Sequence, residues 1–299
     1  MCDIPCTVQG QPLKPPTTFE EQVERLHQRN LIIEDKDIAL DTLSKVNYYR
    51  FSAYLLPFKQ LSNGCYREGT SFSKIYRLYE FDRKLRNILS SVIEPIEVLL
   101  KTKIAYYHAH KYGAEGYTNF ENFESHDRHN KFMAEFNDAI HKNSKALFVR
   151  HHIDNYSAHF PIWVAVELFS LGMLSRFYAN MKSEDRKYIA KNIFYTGPEH
   201  LESWLACLTD LRNRCAHYMR LYFHRFVKFP RLPKGPYMIC SQRLFDIIYI
   251  LKYLYIDHDK WISSFVPALE GLIEEYSCDI QLRYIGFPYN WKELIEMSL

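Results

Sequence analysis

From Phe72 onward, apolar residues return every three or four positions, at Ile75, Leu78, Leu85, Ile88, Leu89, Val92 and Ile93. That spacing lines one face of a 3.6-residue repeat and predicts a long amphipathic helix. Pro95 falls inside the pattern and predicts a kink, after which helix resumes to about Lys111 and closes at Gly113 and Gly116. Upstream, Thr17-x-x-Glu20 and Thr18-x-x-Glu21 are capping-box patterns that open a helix reaching about Asn30. A second helix is predicted over 36–45. A dense aromatic segment over 47–58 should end or kink at Pro57, and Ser62-Asn-Gly64 marks a turn.

Residues 117–130 are polar and irregular, with helices expected at 130–142 and 145–155. Phe160-Pro161 starts another helix with proline in its first turn. Gly172, Ser183 and Gly197-Pro198 punctuate the next three, the last running from 198 to about 218. Residues 226–240 hold Pro230, Pro233 and Pro236 and read as a structured loop. Leu244, Ile247, Ile248, Leu251 and Leu254 define a further helix, and one more spans 260–276. There is no internal repeat, and the fold class is all-α. Four regions are expected: a flexible arm over 1–16, an N-terminal helical region over 17–70, a helical core over 71–225, and a proline-containing loop with C-terminal helices over 226–299.

Composition agrees. The chain of 299 residues is 47% hydrophobic with only 10 glycines, which suits helices better than sheets. Aromatics reach 16%, with 23 Tyr and 20 Phe; most should pack helices, and some could stack on bases. Seven scattered cysteines with no Cys-x-x-Cys give no zinc ribbon or redox motif and suit a reducing cytosol. No signal-peptide pattern opens the chain. Its most apolar run, 161–178, contains Glu167 and Arg176 and is too short to span a bilayer. A cytoplasmic protein with no membrane partner is expected.

Charge changes the picture. The net charge is only +3, yet 211–234 carries Arg212, Arg214, Arg220, Arg225, Lys228, Arg231 and Lys234, two histidines and no carboxylate. A strongly basic segment is thus set in a slightly acidic body, the footprint of a phosphate-binding surface. The segment opens with Arg212-Asn213-x3-His217. Chance would supply roughly 0.8 Arg-x4-His pairs in such a chain, and roughly 0.1 once a polar residue must follow the arginine. Asn213 and His217 share a helix face, but Arg212 lies about 140° round from His217. Both can serve one phosphate if the helix loosens near Ala216 or if two copies meet. On spacing and charge alone, a reactive site and a capping Arg with a core His both remain open.

The motif sits in Leu211-Arg-Asn-x-Cys-Ala-His217, and three further blocks accompany it. They are Asn47-Tyr-Tyr-Arg-x-Ser-x-Tyr-x-x-Pro-Phe58; Leu78-Tyr-Glu-Phe-Asp-Arg83 followed by Ile93-Glu-x-x-Glu97; and Trp163-Val-x-x-Glu167 leading into Leu171-Gly-x-Leu-Ser175. In these residues the chain resembles the AbiD/AbiF-like abortive-infection proteins of the HEPN ribonuclease superfamily, with the blocks in family order over about 20–225. Tyr218 departs from the pattern, since many relatives have a second histidine there.

The resemblance implies a HEPN-type helical bundle, metal-independent RNA cleavage without a cofactor, and phage defence or toxin-like growth arrest. It makes His217 the general acid/base, Arg212 the phosphate clamp and Asn213 a positioning group. RNA carries its own nucleophile in the 2′-OH, so a base near neutral pKa and a permanent cation suffice. Products would bear a 2′,3′-cyclic phosphate and a 5′-OH. Related nucleases build one cleft from two motifs, which implies a homodimer. Arg214, Arg220, Arg225, Lys228, Arg231 and Lys234, with Arg50 as a remote addition, would hold the RNA. Of Tyr48, Tyr49 and Tyr54 beside Arg50, two are expected in the core.

The alternative is a non-catalytic protein that holds a small non-coding RNA. A metal site from Cys207, Cys215 and His217 matches no usual ligand spacing. His151-His152 and His108-x-His110 read as surface or capping histidines. A DNA-binding helix-turn-helix within 18–58 lacks an obvious recognition helix.

Overall fold

The computed structural model describes Leu13 and residues 15–297, so most of the expected arm over 1–16 lies outside the described residues. Among those described there is no β-strand, only isolated bridges such as Phe123 with Met181. The chain divides into two compact units, 1–79 and 80–299, with the boundary inside one long helix.

The N-terminal unit contains α1 (Phe19–His27), α2 (Lys36–Lys45), α3 (Tyr48–Leu55) and the start of α4 (Phe72–Tyr112). Of the two possible capping boxes, the chain uses Thr18 with Glu21: the Thr18 side chain accepts from Glu21 N–H and the Glu21 carboxylate accepts from Thr18 N–H. Asp35 caps α2 by accepting from the N–H groups of Asp37 and Ile38. α3 gives way at Leu56 to a short 3₁₀ turn containing Pro57. Of the three tyrosines beside Arg50, only Tyr54 is fully buried; Tyr48 is half-buried and Tyr49 is 85% exposed. The expectation of two core tyrosines fails because α3 is only eight residues long and buries one face, through Phe51, Tyr54 and Leu55.

The larger unit takes the rest of α4, then α5 (His126–Lys142), α6 (Leu147–Tyr156), α7 (Ile162–Ala165), α8 (Leu171–Asn180), α9 (Ser183–Ile193) and α10 (Pro198–Ala216). After a loop come α11 (Leu244–Leu254), α12 (His258–Lys260), α13 (Val266–Glu275) and α14 (Trp291–Glu296). α4 runs through Pro95 as one helix, because that proline lies on the exposed side where water can take the freed carbonyl. α5 starts at His126, four residues earlier than expected, because Ser125 caps it by accepting from Arg128 N–H. Pro161 is an N-cap and not a first-turn residue, and Gly172 lies inside α8 behind the Ser170 cap.

The helix predicted over 260–276 is interrupted by a π turn, Trp261–Phe265. The cause is Pro267, whose missing N–H and ring disturb the preceding turn. α14 had no sequence signal strong enough to separate it from a loop.

α10 is the centre of this unit and packs against α8, α9 and α11. It buries Leu201, Trp204, Leu205, Cys207, Leu208, Leu211 and Cys215. α11 is buried nearly all round, including Asp246 and Lys252, not along a single stripe. Lys252 donates to Leu294 O at 2.8 Å between the rings of Tyr249 and Tyr253. Phe132, Phe136, Phe169 and Phe177 form an aromatic core with mostly edge-to-face and tilted contacts.

His108 is a core residue and not a capping one. It lies 1% exposed among Tyr112, Phe123 and Phe177, with both ring nitrogens unpartnered. Burial pushes its pKa down from 6.5 to about 4. A folded-state value below the unfolded one means the unfolded chain takes up the extra proton first. Stability is therefore full above pH 6.5 and drains away as pH falls toward 4. The share from this residue is up to about 3 kcal/mol. Replacement by Phe keeps the packing and removes the titration. Urea denaturation of His108→Phe at pH 7.5 and pH 4.5 should show a loss smaller than wild type by about 2–3 kcal/mol. An equal loss would rule out this origin.

Candidate functional site

The motif occupies the last turn of α10. Arg212, half-buried, places Nε 3.4 Å from Oε2 of Glu97 on α4, leaving 38% of its side chain open to solvent. Glu97 is also 3.8 Å from Lys101 Nζ, one turn further along α4. Lys101 in turn reaches the backbone oxygen of Glu167 at 3.5 Å. Glu97 and Glu167 both belong to blocks noted in the sequence, so separate blocks converge on the motif arginine.

Helix geometry stops at Ala216, as loosening there would require. His217 is the C-cap, at φ −95° and ψ 12°, with its N–H donating to Asn213 O. Tyr218 then turns left-handed at φ 56°. Tyr218 N–H donates to Cys215 O at 3.2 Å and Met219 N–H to Arg214 O at 2.8 Å, the paired bonds of a Schellman ending. Glycine usually fills that position, and a side chain there costs about 1–2 kcal/mol. Asn213, Ala216, His217 and Tyr218 all stand exposed at this end.

A buried ion pair holds the strained exit. Asp82, fully buried on α4, accepts from the N–H groups of Leu221 and Tyr222, both at 2.9 Å. Its partner Arg86, one helical turn on, donates to Asp82 at 2.7 Å and to Met219 O at 3.3 Å. The family blocks contain Asp82 and Glu97 without assigning either a role, and no block or motif marks Arg86 or Lys101. The available signal was two acid-x3-base spacings, Asp82 with Arg86 and Glu97 with Lys101, each joining neighbours on a helix face.

The basic segment is less uniform in space than in sequence. Arg214 lies 3.2 Å from Asp210 Oδ1 and its guanidinium sits over the Phe226 ring. Arg220 is half-buried against Phe223. Arg225, Lys228, Arg231 and Lys234 are exposed, on a loop fixed from below. Trp204 Nε1–H donates to Arg231 O, Arg231 N–H donates to Ser203 Oγ, and Phe226 N–H donates to Gln242 O. Asp246, fully buried, gathers Tyr237 OH, Cys240 Sγ, Ser241 and Arg243 N–H. Arg50 belongs to the N-terminal unit, half-buried on α3.

His224 does not form a second reactive histidine: burial beside Arg214 pushes its pKa down to about 4, and Nε2 is buried without a partner. Cys207 and Cys215 point into the core, where burial raises both thiols to about 12. His217 faces solvent, so these three do not form a ligand set. Among the described residues no cluster of three or more His, Cys, Asp or Glu is arranged to hold a metal ion.

An all-α protein that presents Arg-Asn-x3-His at an exposed helix end, ahead of a cationic loop, is the class defined by this fold and site. The sequence profile of the Abi-like protein family matches residues 41–223, more than half of the chain, which therefore belongs to that family. Membership ties the protein to abortive infection, a form of phage defence. The matched stretch contains all the blocks and ends just before the four exposed cations. No curated protein and no solved structure matches the chain. No helix among the described residues is long and apolar enough to cross a membrane.

Asp82→Ala should lower the unfolding free energy by about 3–5 kcal/mol, because the buried Arg86 would lose its carboxylate partner. It should also speed proteolysis over 217–225, which loses its two anchoring acceptors. Denaturation within about 1 kcal/mol of wild type would show that the pair is not what holds the exit.

Proposed function

We propose that this Abi-like protein is a HEPN-type endoribonuclease that cleaves RNA without a metal ion. The observation that carries the reading is the arrangement at the end of α10. A half-exposed arginine is steadied by Glu97, and an exposed histidine follows at the point where the helix gives way. Such a pair matches the two needs of phosphodiester transfer to a 2′-OH. His217 removes the 2′-proton and returns one to the leaving 5′-oxygen. Arg212 holds the non-bridging oxygens as negative charge grows on them. The 2′-oxygen bonds to phosphorus as the bond to the 5′-oxygen breaks, leaving a 2′,3′-cyclic phosphate and a 5′-OH. Glu97 is acidic and cannot itself approach the phosphate; its part is to fix the guanidinium.

One chain supplies one motif, and its side chains lie on an open helix end with no opposing wall in the motif itself. A homodimer in which two such ends face each other would close the cleft and double the cationic field. The exposed cations of the following loop extend the surface for RNA beyond the scissile phosphate. That loop also favours a second reading, in which the protein grips a small non-coding RNA and does not cut it. The two readings part on catalysis.

His217→Ala should lower RNA cleavage by about 10²–10⁴-fold while leaving the circular dichroism and the oligomeric state unchanged. Cleavage at the wild-type rate would sink the catalytic assignment. Wild-type specific activity should fall on dilution into the low nanomolar range as dimers separate, and a constant value down to full dissociation would refute the shared cleft.

Arg225, Lys228 and Arg231 reversed together to Glu should weaken RNA binding. The log–log salt slope should drop by roughly 2–3 units, as about three phosphate contacts and their released counterions are lost. An unchanged slope in a folded variant would place the RNA elsewhere.

A further inference from the structure

We propose that an aromatic shelf beside the motif, built from Tyr106, Trp163 and Tyr188, is a stacking platform for the bases of single-stranded RNA. The proposal rests on RNA being the ligand of the neighbouring site, but not on its cleavage.

Three large rings stand in solvent here, Tyr106 at 66%, Trp163 at 57% and Tyr188 at 51% exposure, in a chain that buries most of its aromatics. Two clefts open between them. One of about 540 Å³ lies between α4 and α9, lined by Lys103, Tyr106, Tyr107, His110, Lys111 and Tyr188. The other, about 340 Å³, lies between α4 and the α7 segment, lined by Thr102, Tyr106, His110, Trp163 and Glu167. Tyr106 and His110 line both, so the two clefts adjoin. Both volumes fall in the range that accepts small planar ligands.

The walls are fixed before any ligand arrives. Asp185, fully buried, accepts from Tyr107 OH at 2.6 Å, Tyr112 OH at 2.7 Å and Lys111 Nζ at 2.5 Å. Tyr188 stacks on Tyr107, with centroids 4.9 Å apart and planes 26° off parallel. His110 lies against Tyr106 with centroids 4.0 Å apart.

The second cleft also leads toward the motif. Glu167 lines the second cleft and its backbone oxygen receives Lys101, which neighbours Glu97, the partner of Arg212. Along α4, Tyr106 is nine residues beyond Glu97, about 14 Å.

Exposed aromatic rings lining clefts of this size suit a nucleobase, which offers a π-face for stacking. The lining includes Lys103, Lys111, His110 and Asn192. Charged groups are depleted in the cores of protein interfaces, so a protein partner fits this lining less well. Few of these groups can reach phosphates, so the shelf should grip through stacking, and duplex RNA, whose bases are already stacked, should not enter.

The test uses full-length His217→Ala protein, so that RNA stays intact, and a fluorescent 12-mer of oligouridine read by anisotropy. Tyr106→Ala, Trp163→Ala and Tyr188→Ala, added singly and checked for fold, should each weaken binding roughly 5- to 100-fold. Their salt slope should stay that of the parent, unlike that of the charge reversals in the 225–231 loop, because no phosphate contact is lost. Ultraviolet crosslinks should map to peptides containing Tyr106 or Trp163.

The proposal is overturned if folded variants bind within twofold of the parent. It is equally overturned if a duplex competes as well as the single strand, or if the parent binds no single-stranded RNA. Lost affinity that follows dissociation of dimers in sedimentation would make the shelf a protein interface and also reject it. Absence of cleavage by wild type leaves each of these readouts intact and counts only against the ribonuclease reading.

Discussion

The arrangement of the motif depends on one buried carboxylate. Asp82 accepts two backbone N–H groups from the chain that leaves α10 and pairs with Arg86, which itself reaches Met219 O. The exit needs such a hold. Tyr218 adopts a left-handed turn that its side chain disfavours, and without an anchor the chain could relax by fraying the last turn of α10. A charge this deeply buried is tolerable only because every donor around it is in place. The pair thus trades a desolvation penalty for a single defined path at the place where His217 is presented.

The same device recurs twice in the larger unit. Asp185 collects Tyr107, Lys111 and Tyr112 and stiffens the junction of α4 with α9. Asp246 collects Tyr237, Cys240, Ser241 and Arg243 and folds the proline-containing loop against the start of α11. Each aspartate is fully buried; Asp82 and Asp246 organise segments that lack regular hydrogen bonding of their own, whereas Asp185 ties one helix to another. In the exit from α10 and in the proline-containing loop, buried carboxylates supply the order that helices supply elsewhere.

Charge illustrates how far linear reading can mislead. The segment 211–234 has no carboxylate in sequence, yet two of its arginines meet acids from another element or from earlier in α10. Glu97 takes Arg212 and Asp210 takes Arg214. Arg212 and Arg214 are thus held by acids, and the exposed positive charge lies farther along at Arg225, Lys228, Arg231 and Lys234. The proposed phosphate clamp would gain from this division: a steadied guanidinium needs less ordering when a ligand arrives, while exposed cations supply long-range attraction.

Much of this was legible from residues alone. Apolar spacing gave the all-α class and the extent of α4 and α11, because helical periodicity survives in any environment that buries one face. Capping residues placed α1, and Arg-Asn-x3-His stood out because polar residues at that spacing are rare by chance. What only the tertiary structure decided were relations between distant elements. No spacing could say that Glu97 faces Arg212, that Asp82 catches the backbone beyond α10, or that His108 is buried while His217 is exposed. Nor could it assign Tyr54 to the core and Tyr49 to solvent. Burial and pairing depend on which helix face meets which neighbour, and local sequence carries the period of that face but not the identity of its partner.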